Sequence, residues 1–112
     1  MVDVVSAEDV ESEEPIPGVV ASQLVAGEEM NAQHVRIDPG TEAGEGHSHP
    51  HEQVTFVARG APTMIIDGEE YELETGDTVL IPGGTTHAAA NGGDEPAVLV
   101  DVFSPVREDL VE

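Results

Sequence analysis

Short apolar runs separated by glycine, proline and aspartate dominate this chain. Val19–Ala26 and Met30–Ile37 are such runs, and Asp38-Pro39-Gly40 closes the second with a turn. Gln53–Arg59 (QVTFVAR) is rich in β-branched and aromatic residues and stops at Gly60. Thr63–Ile66 and Glu70–Leu73 flank Asp67-Gly68, a two-residue hairpin signal. Thr78–Ile81 follows a turn at Gly76-Asp77, Thr85–Ala90 follows Pro82-Gly83-Gly84, and Ala97–Phe103 is an apolar strand interrupted by one acid. No stretch of about 11 residues or longer has helical period. The pattern predicts an all-β sandwich or barrel.

Length and charge narrow this picture. A chain of 112 residues suggests one domain. Residues 1–14 carry Asp3, Glu8, Asp9, Glu11, Glu13 and Glu14 and read as a solvated acidic arm with a short strand at Val4–Val5; residues 15–112 read as the domain. The chain has 24 acids against three arginines (Arg36, Arg59, Arg107), no lysine, and a net charge of −21. That excludes nucleic acid and acidic membrane surfaces as partners, because both need cationic residues. Charge-driven disorder is one reading of such a composition. A folded, acid-coated protein adapted to molar salt is the other, and the regular strands and turns favour it. There is no transmembrane run, no basic-then-apolar leader and no cysteine, so the expected location is the cytoplasm. Phe56, Phe103 and Tyr71 are the only aromatics, so the core must be aliphatic and modest, and a homodimer across an exposed sheet is expected.

Candidate chemistry concentrates in HSHPHEQ, residues 47–53, which holds three of the five histidines. In a strand His47 and His49 would point to one face, and Gln53 has the same parity. Neutral imidazole is the commonest metal ligand, and His87 is the candidate to complete a set of four. Structural histidines without metal are the competing reading.

These residues also carry a resemblance. Gly76, Pro82, Gly84, His87 and Asn91 match every position of the second cupin motif, G-x5-P-x-G-x2-H-x3-N. His47, His49, Gln53 and Gly60 resemble the first motif, H-x-H-x3-E-x6-G, with two departures. Gln53 stands where the family has Glu, and Gly40 lies seven residues before His47 rather than six. The resemblance covers roughly residues 30–105 and implies a cupin double-stranded β-helix (jelly-roll barrel) with a metal inside. It places His51 between ligands, as a neighbour or rim residue. His34 is remote from both motifs and reads as structural.

The amide has a chemical consequence. Three neutral imidazoles and one carboxamide leave the full charge of a divalent cation on the site, whereas Glu would cancel one unit. The cation is then a stronger Lewis acid and a better attractant for an anion. This points away from redox and towards acid–base chemistry on a carboxylated molecule, although drift in a site that binds metal anyway would leave the same residue. Zn, Ni, Fe(II) or Mn all suit the set.

Near the C-terminus, Asp101 and Phe103 share one face of the last strand. An acid within VLVDVF is unexpected in plain core and makes sense facing a polar cavity, where it can move a proton; a sheet-margin Asp is the alternative. Arg107 can hold a carboxylate in a bidentate pair, or simply one of the chain's own acids. HSHPHEQ together with DVFSPVRED looks like the KdgF-type cupins of pectin degradation, which linearise 4,5-unsaturated monouronates to the open-chain 4-deoxy-5-keto uronate. That resemblance implies metal ligation by His47, His49, Gln53 and His87, with Asp101, Phe103 and Arg107 lining the site of a small anionic sugar. Another metal-dependent cupin enzyme, a dioxygenase or sugar isomerase, and a non-catalytic sugar-binding cupin are the alternatives.

The charge alone generates one expectation. At about 1 M salt the Debye length is about 3 Å and surface self-repulsion largely vanishes. The melting temperature should therefore fall steadily as KCl is dialysed away. A melting curve indifferent to salt would remove the salt-adapted reading.

Overall fold

Turn chemistry sets the strand ends. In the computed structural model, which describes residues 2–110, Asp67 (φ 51°) and Gly68 (φ 82°) both occupy the left-handed region that a two-residue hairpin turn requires. Nine strands result: β1 Ser12–Ile16, β2 Val19–Ala26, β3 Asn31–Ile37, β4 Glu52–Arg59, β5 Thr63–Ile66, β6 Glu69–Glu72, β7 Thr78–Ile81, β8 His87–Ala90 and β9 Ala97–Ser104. They form one sheet in the order β1-β2-β3-β9-β4-β7 and a second in the order β6-β5-β8, all pairs antiparallel. Two isolated bridges, Thr41–Asn91 and His47–His87, tie the long β3–β4 connection to the smaller sheet. This is the all-β cupin jelly roll.

Alternation along β4 and β9 separates the two faces. Gln53, Thr55 and Val57 of β4, and Ala97, Leu99, Asp101 and Phe103 of β9, point inward and are buried. Val57, Ile37 and Ile81 are wholly buried, each stabilising the fold by about 1.5–3 kcal/mol relative to exposure. With Val35, Met64, Leu73, Ala97 and Leu99 they form an aliphatic core. Beside it the inward positions turn mostly polar, at Asn31, Gln33, Gln53, Thr55 and Asp101, with Phe103 and Ile81 among them.

Three expectations shift. Ser12–Ile16 pairs with β2, so ordered sheet begins inside the acidic opening, and Val4–Val5 is not a strand. SEEPI is exposed throughout and joins the sheet through its backbone, which leaves no apolar alternation to read. Thr85 and Thr86 belong to the turn rather than to β8. Residues 111–112 of the expected domain lie outside the described residues. Among the described residues no helix is long and apolar enough to cross a membrane.

The outer face of the large sheet lacks acids across its centre. Register aligns Leu80, Val54, Val102 and Ala32 in one row and Thr78, Phe56, Val100 and His34 in the next. Leu80 is 59% exposed, Phe56 42% and Val54 41%. A basic partner would choose the acidic faces of a chain with net charge −21. An acid-free apolar window suits a partner that is itself acidic, and a second copy is one. Sedimentation in high salt should give a dimer for the native chain and a folded monomer for Phe56→Glu. A native monomer would count against the homodimer.

Candidate metal centre and its acid-lined cavity

Backbone pairing brings the first two imidazole carriers together. His47 N–H donates to the His87 carbonyl (3.0 Å) and His87 N–H donates to the His47 carbonyl (2.9 Å). The approach is tight: Gly46 sits at φ +85°, and a Cβ there would come within 2.9 Å of the His87 carbonyl oxygen. Pro50 and the bends around it keep His47 to His51 out of regular strand. His47 and His49 therefore converge through a loop folded onto β8, and not through strand alternation. Gly84 N–H holds the same loop through the His49 carbonyl (2.7 Å).

The ligand-capable nitrogens of His47, His49 and His87 all lie within 4.8 Å of one another. His49 and His87 are buried and His47 is exposed at the rim. His49 Nδ1 lies 3.0 Å from the His51 carbonyl and His87 Nδ1 lies 2.9 Å from the Thr85 carbonyl. Donation of Nδ1–H to these carbonyls leaves both Nε2 lone pairs free, the arrangement of metal-ligating histidines. His51 thus contributes its carbonyl rather than its ring to the cluster. His34 lies on the outer sheet face opposite Val100 and Ser22, away from it.

Gln53, on β4, completes a four-donor set. Its Oε1 is 3.0 Å from His49 Nε2, while its Nε2 donates to Thr55 Oγ1 at 2.8 Å. With the His49 proton on Nδ1, two lone pairs face each other there. A cation bound by both atoms would relieve that opposition, so the residues fit a divalent ion. Partial burial, then the charges of His87 and His49, hold the His47 pKa below its ordinary value. Burial lowers that of His87 as well, opposed by the bond to Thr85. Both shifts favour the neutral imidazole that ligation requires.

The sheet register places the remaining predicted residues. One row runs Asn31–Phe103–Gln53–Ile81 and the next runs Gln33–Asp101–Thr55–Val79. Asp101 Oδ1 accepts from Thr55 Oγ1 (2.7 Å) and Oδ2 accepts from Gln33 Nε2 (2.9 Å). Gln23 Nε2 in turn donates to Gln33 Oε1 at 2.9 Å. Burial pushes the Asp101 carboxyl above its usual range, and the bonds from Thr55 and Gln33 oppose that rise. The Phe103 ring meets His49 edge-on at 5.5 Å between centroids, and the Arg107 guanidinium carbon lies 5.0 Å over the same ring.

Arg107 already has an anionic partner. Its Nη2 donates to Asp109 Oδ2 (2.7 Å) and its Nε to Asp109 Oδ1 (3.3 Å), which leaves Nη1 uncommitted. This bond holds the Asp109 carboxyl below its usual pKa. The alternative of an ion pair with one of the chain's own acids is therefore realised, on an Arg that also faces the cavity. Asn31 Oδ1 accepts from the Arg107 backbone N–H (2.7 Å) and fixes where this segment enters.

His47, Gln53, His87, Asp101, Phe103 and Arg107 line a single cavity of about 340 Å³. Thr55 and Gln33, which connect Asp101 to its surroundings, were missed by motif reasoning. The available signal was their polarity at inward parity, two residues from Gln53 and on the strand next to Asp101. Asn91, the last residue of the second motif, is a brace: its Nδ2 donates to the carbonyls of Ile37 and Glu95.

Comparison with known proteins agrees with this geometry. The Cupin_2 family, described as a cupin domain, matches residues 33–103. The chain is 36% identical over 69 residues to the pectin degradation protein KdgF of Dickeya dadantii, covering 61% of this chain and 62% of that protein. It is 30% identical over 74 residues to the tetracenomycin polyketide synthase protein TcmJ of Streptomyces glaucescens, covering 65% and 49%. The matches thus span half to three fifths of these relatives. The solved structure of KdgF from a Halomonas species superposes with a TM-score of 0.86 at 25% identity, covering 99% of this chain and 100% of that one. With its fold, both motifs and most of its length accounted for, this chain belongs to the cupin family.

Proposed function

We propose that the protein is a metal-dependent enzyme that linearises 4,5-unsaturated monouronates, of the kind released from pectin or alginate, to the open-chain 4-deoxy-5-keto uronate. The observation that supports this most is the convergence of an imidazole cluster, a buried carboxylate and an arginine on one small cavity. Similarity to two KdgF proteins, one named for pectin degradation, supports the substrate class.

The substrate carries a C4=C5 enol ether within a hemiacetal ring. Linearisation is an isomerisation. The anomeric hydroxyl loses a proton, the bond from C1 to the ring oxygen breaks, and C1 becomes an aldehyde. The released electron pair passes through the C5 enolate to C4, which takes a proton, leaving a ketone at C5. His47, His49, Gln53 and His87 would hold a divalent cation, whose positive charge would favour this build-up of negative charge. Asp101 moves the proton: Thr55 and Gln33 occupy one site on each oxygen, and a carboxylate has lone pairs to spare. Arg107 offers Nη1 to the uronate carboxylate while Asp109 holds the other edge of the guanidinium. Phe103 packs against the sugar face.

A second reading, action on a polyketide, is favoured by the similarity to TcmJ, named as a tetracenomycin polyketide synthase protein. The cavity of about 340 Å³ sits at the small end of the usual range of about 300–1,000 Å³ and suits a monosaccharide better than a multi-ring chain.

Enol absorbance of an unsaturated monouronate should disappear faster with protein than in buffer, and a chelator should abolish the excess. Asp101→Asn should lower the rate by about 100-fold or more, the usual scale of a lost general acid–base group. Full activity of that variant would remove Asp101 from the chemistry. Uronate binding without turnover in the metal-loaded native protein would instead identify a binding cupin.

Metal uptake should depend on pH with a definite sign. The His47 and His87 pKa values are lowered from the ordinary imidazole value, chiefly by burial, so protons compete with the metal only on the acid side of neutrality. Equilibrium dialysis against Zn²⁺ should give constant affinity from pH 8 to 7 and progressive loss below about 6. Retention of tight binding at pH 4, or in His87→Ala, would place the ion elsewhere.

A further inference from the structure

The identity and orientation of Gln53 follow from the acid two hydrogen bonds away. Asp101, as a carboxylate, only accepts, and both of its oxygens face donors: Gln33 Nε2 at 2.9 Å and Thr55 Oγ1 at 2.7 Å. Gln33 keeps its NH₂ end on Asp101 because a carboxylate has no hydrogen to give, and its own oxygen accepts from Gln23 Nε2 at 2.9 Å. The hydroxyl of Thr55 has a single proton, and the bond to Asp101 uses it. What Thr55 turns towards Gln53, 2.8 Å away, is a lone pair. Only the NH₂ end of the carboxamide can meet a lone pair, so the amide oxygen must point the other way, 3.0 Å from His49 Nε2.

We propose that Thr55 is a positioning residue, which, with its proton committed to Asp101, aims the Gln53 oxygen at the imidazole cluster and makes an amide, rather than a carboxylate, the side chain that fits there. A glutamate at position 53 would set an unprotonated oxygen against the Thr55 lone pair, leaving two buried acceptors and no hydrogen between them, a costly arrangement. The relay Asp101–Thr55–Gln53 thus ties two features of the site that sequence motifs treat as unrelated: the acid on the last strand and the missing glutamate of the first motif. The inference rests on the metal reading of the site and is independent of which substrate is turned over.

Co²⁺ is the probe, because its visible absorption reports both binding and the ligand set. In the native protein Thr55→Val should weaken Co²⁺ by about tenfold or more, the scale of lost support to a metal ligand, and alter the visible bands. Thr55→Ser, which keeps the hydroxyl, should restore both. The deciding comparison uses Gln53→Glu. A carboxylate presents an oxygen whichever way it turns, so adding Thr55→Val to Gln53→Glu should change Co²⁺ affinity less than about threefold. Equal losses from Thr55→Val in both backgrounds would make Thr55 a merely structural residue and overturn the proposal. If Thr55→Val does not fold, NMR of the native protein decides instead. On Zn²⁺ addition the Gln53 side-chain NH₂ signals should persist while its carbonyl carbon shifts, and loss of the NH₂ signals would overturn the proposal. Failure of the native protein to bind Co²⁺ at all would overturn it together with the metal centre.

Discussion

An ionisable acid inside an aliphatic barrel persists only when hydrogen-bond donors surround it, and Asp101 sets that requirement here. An unsatisfied buried polar group costs about 1–3 kcal/mol, a large fraction of the stability of a small domain. The chain meets the demand with polar residues at inward positions of the three strands beside or near β9: Gln23 on β2, Gln33 on β3 and Thr55 on β4. These positions are unavailable to the aliphatic cluster, which packs beside them and meets them at Ile81, the partner of Gln53 across the sheet. Fold and cavity are thus two outcomes of one division along the same strands.

Electrostatics operates here on two scales. The surface carries a net charge of −21, which opposes the approach of any anion over long distances. Screening limits that field to about 8 Å at physiological ionic strength, and to less in stronger salt. Within contact range the balance reverses: the ligand-capable nitrogens of His47, His49 and His87 lie within 4.8 Å of one another, and Arg107 lies over Phe103 with its side chain mostly buried. Asp109 neutralises part of that guanidinium charge, yet it also restrains a long side chain that would otherwise lose entropy on gripping a ligand.

Much of the scaffold is legible in the sequence because its strands are bounded by residues with steric reasons to be there. β2, β5 and β7 begin and end where the apolar runs and the flanking turns say they should. β1 is not legible in that way, since SEEPI pairs through its main chain and buries nothing. His47 and His49 stand out by spacing, but the strand parity invoked for them does not operate, because the loop around Pro50 does that work. Parity does hold for Asp101 and Phe103, which lie in regular strand and share the inner face. Thr55, Gln33 and the Asp109 partner of Arg107 were hidden for a different reason. Their importance lies in which neighbour each one faces across the sheet, and pairing between distant segments is not written in local pattern.

The reciprocal main-chain bonds between His47 and His87 have a consequence for how an ion would be taken up under the proposed reading. Those bonds, and the carbonyls that orient the His49 and His87 rings, join parts of the barrel to one another rather than side chains to an ion. A site oriented by the barrel in this way would let a cation exchange without rebuilding its surroundings. Its occupant would then follow the composition of the surrounding metal pool.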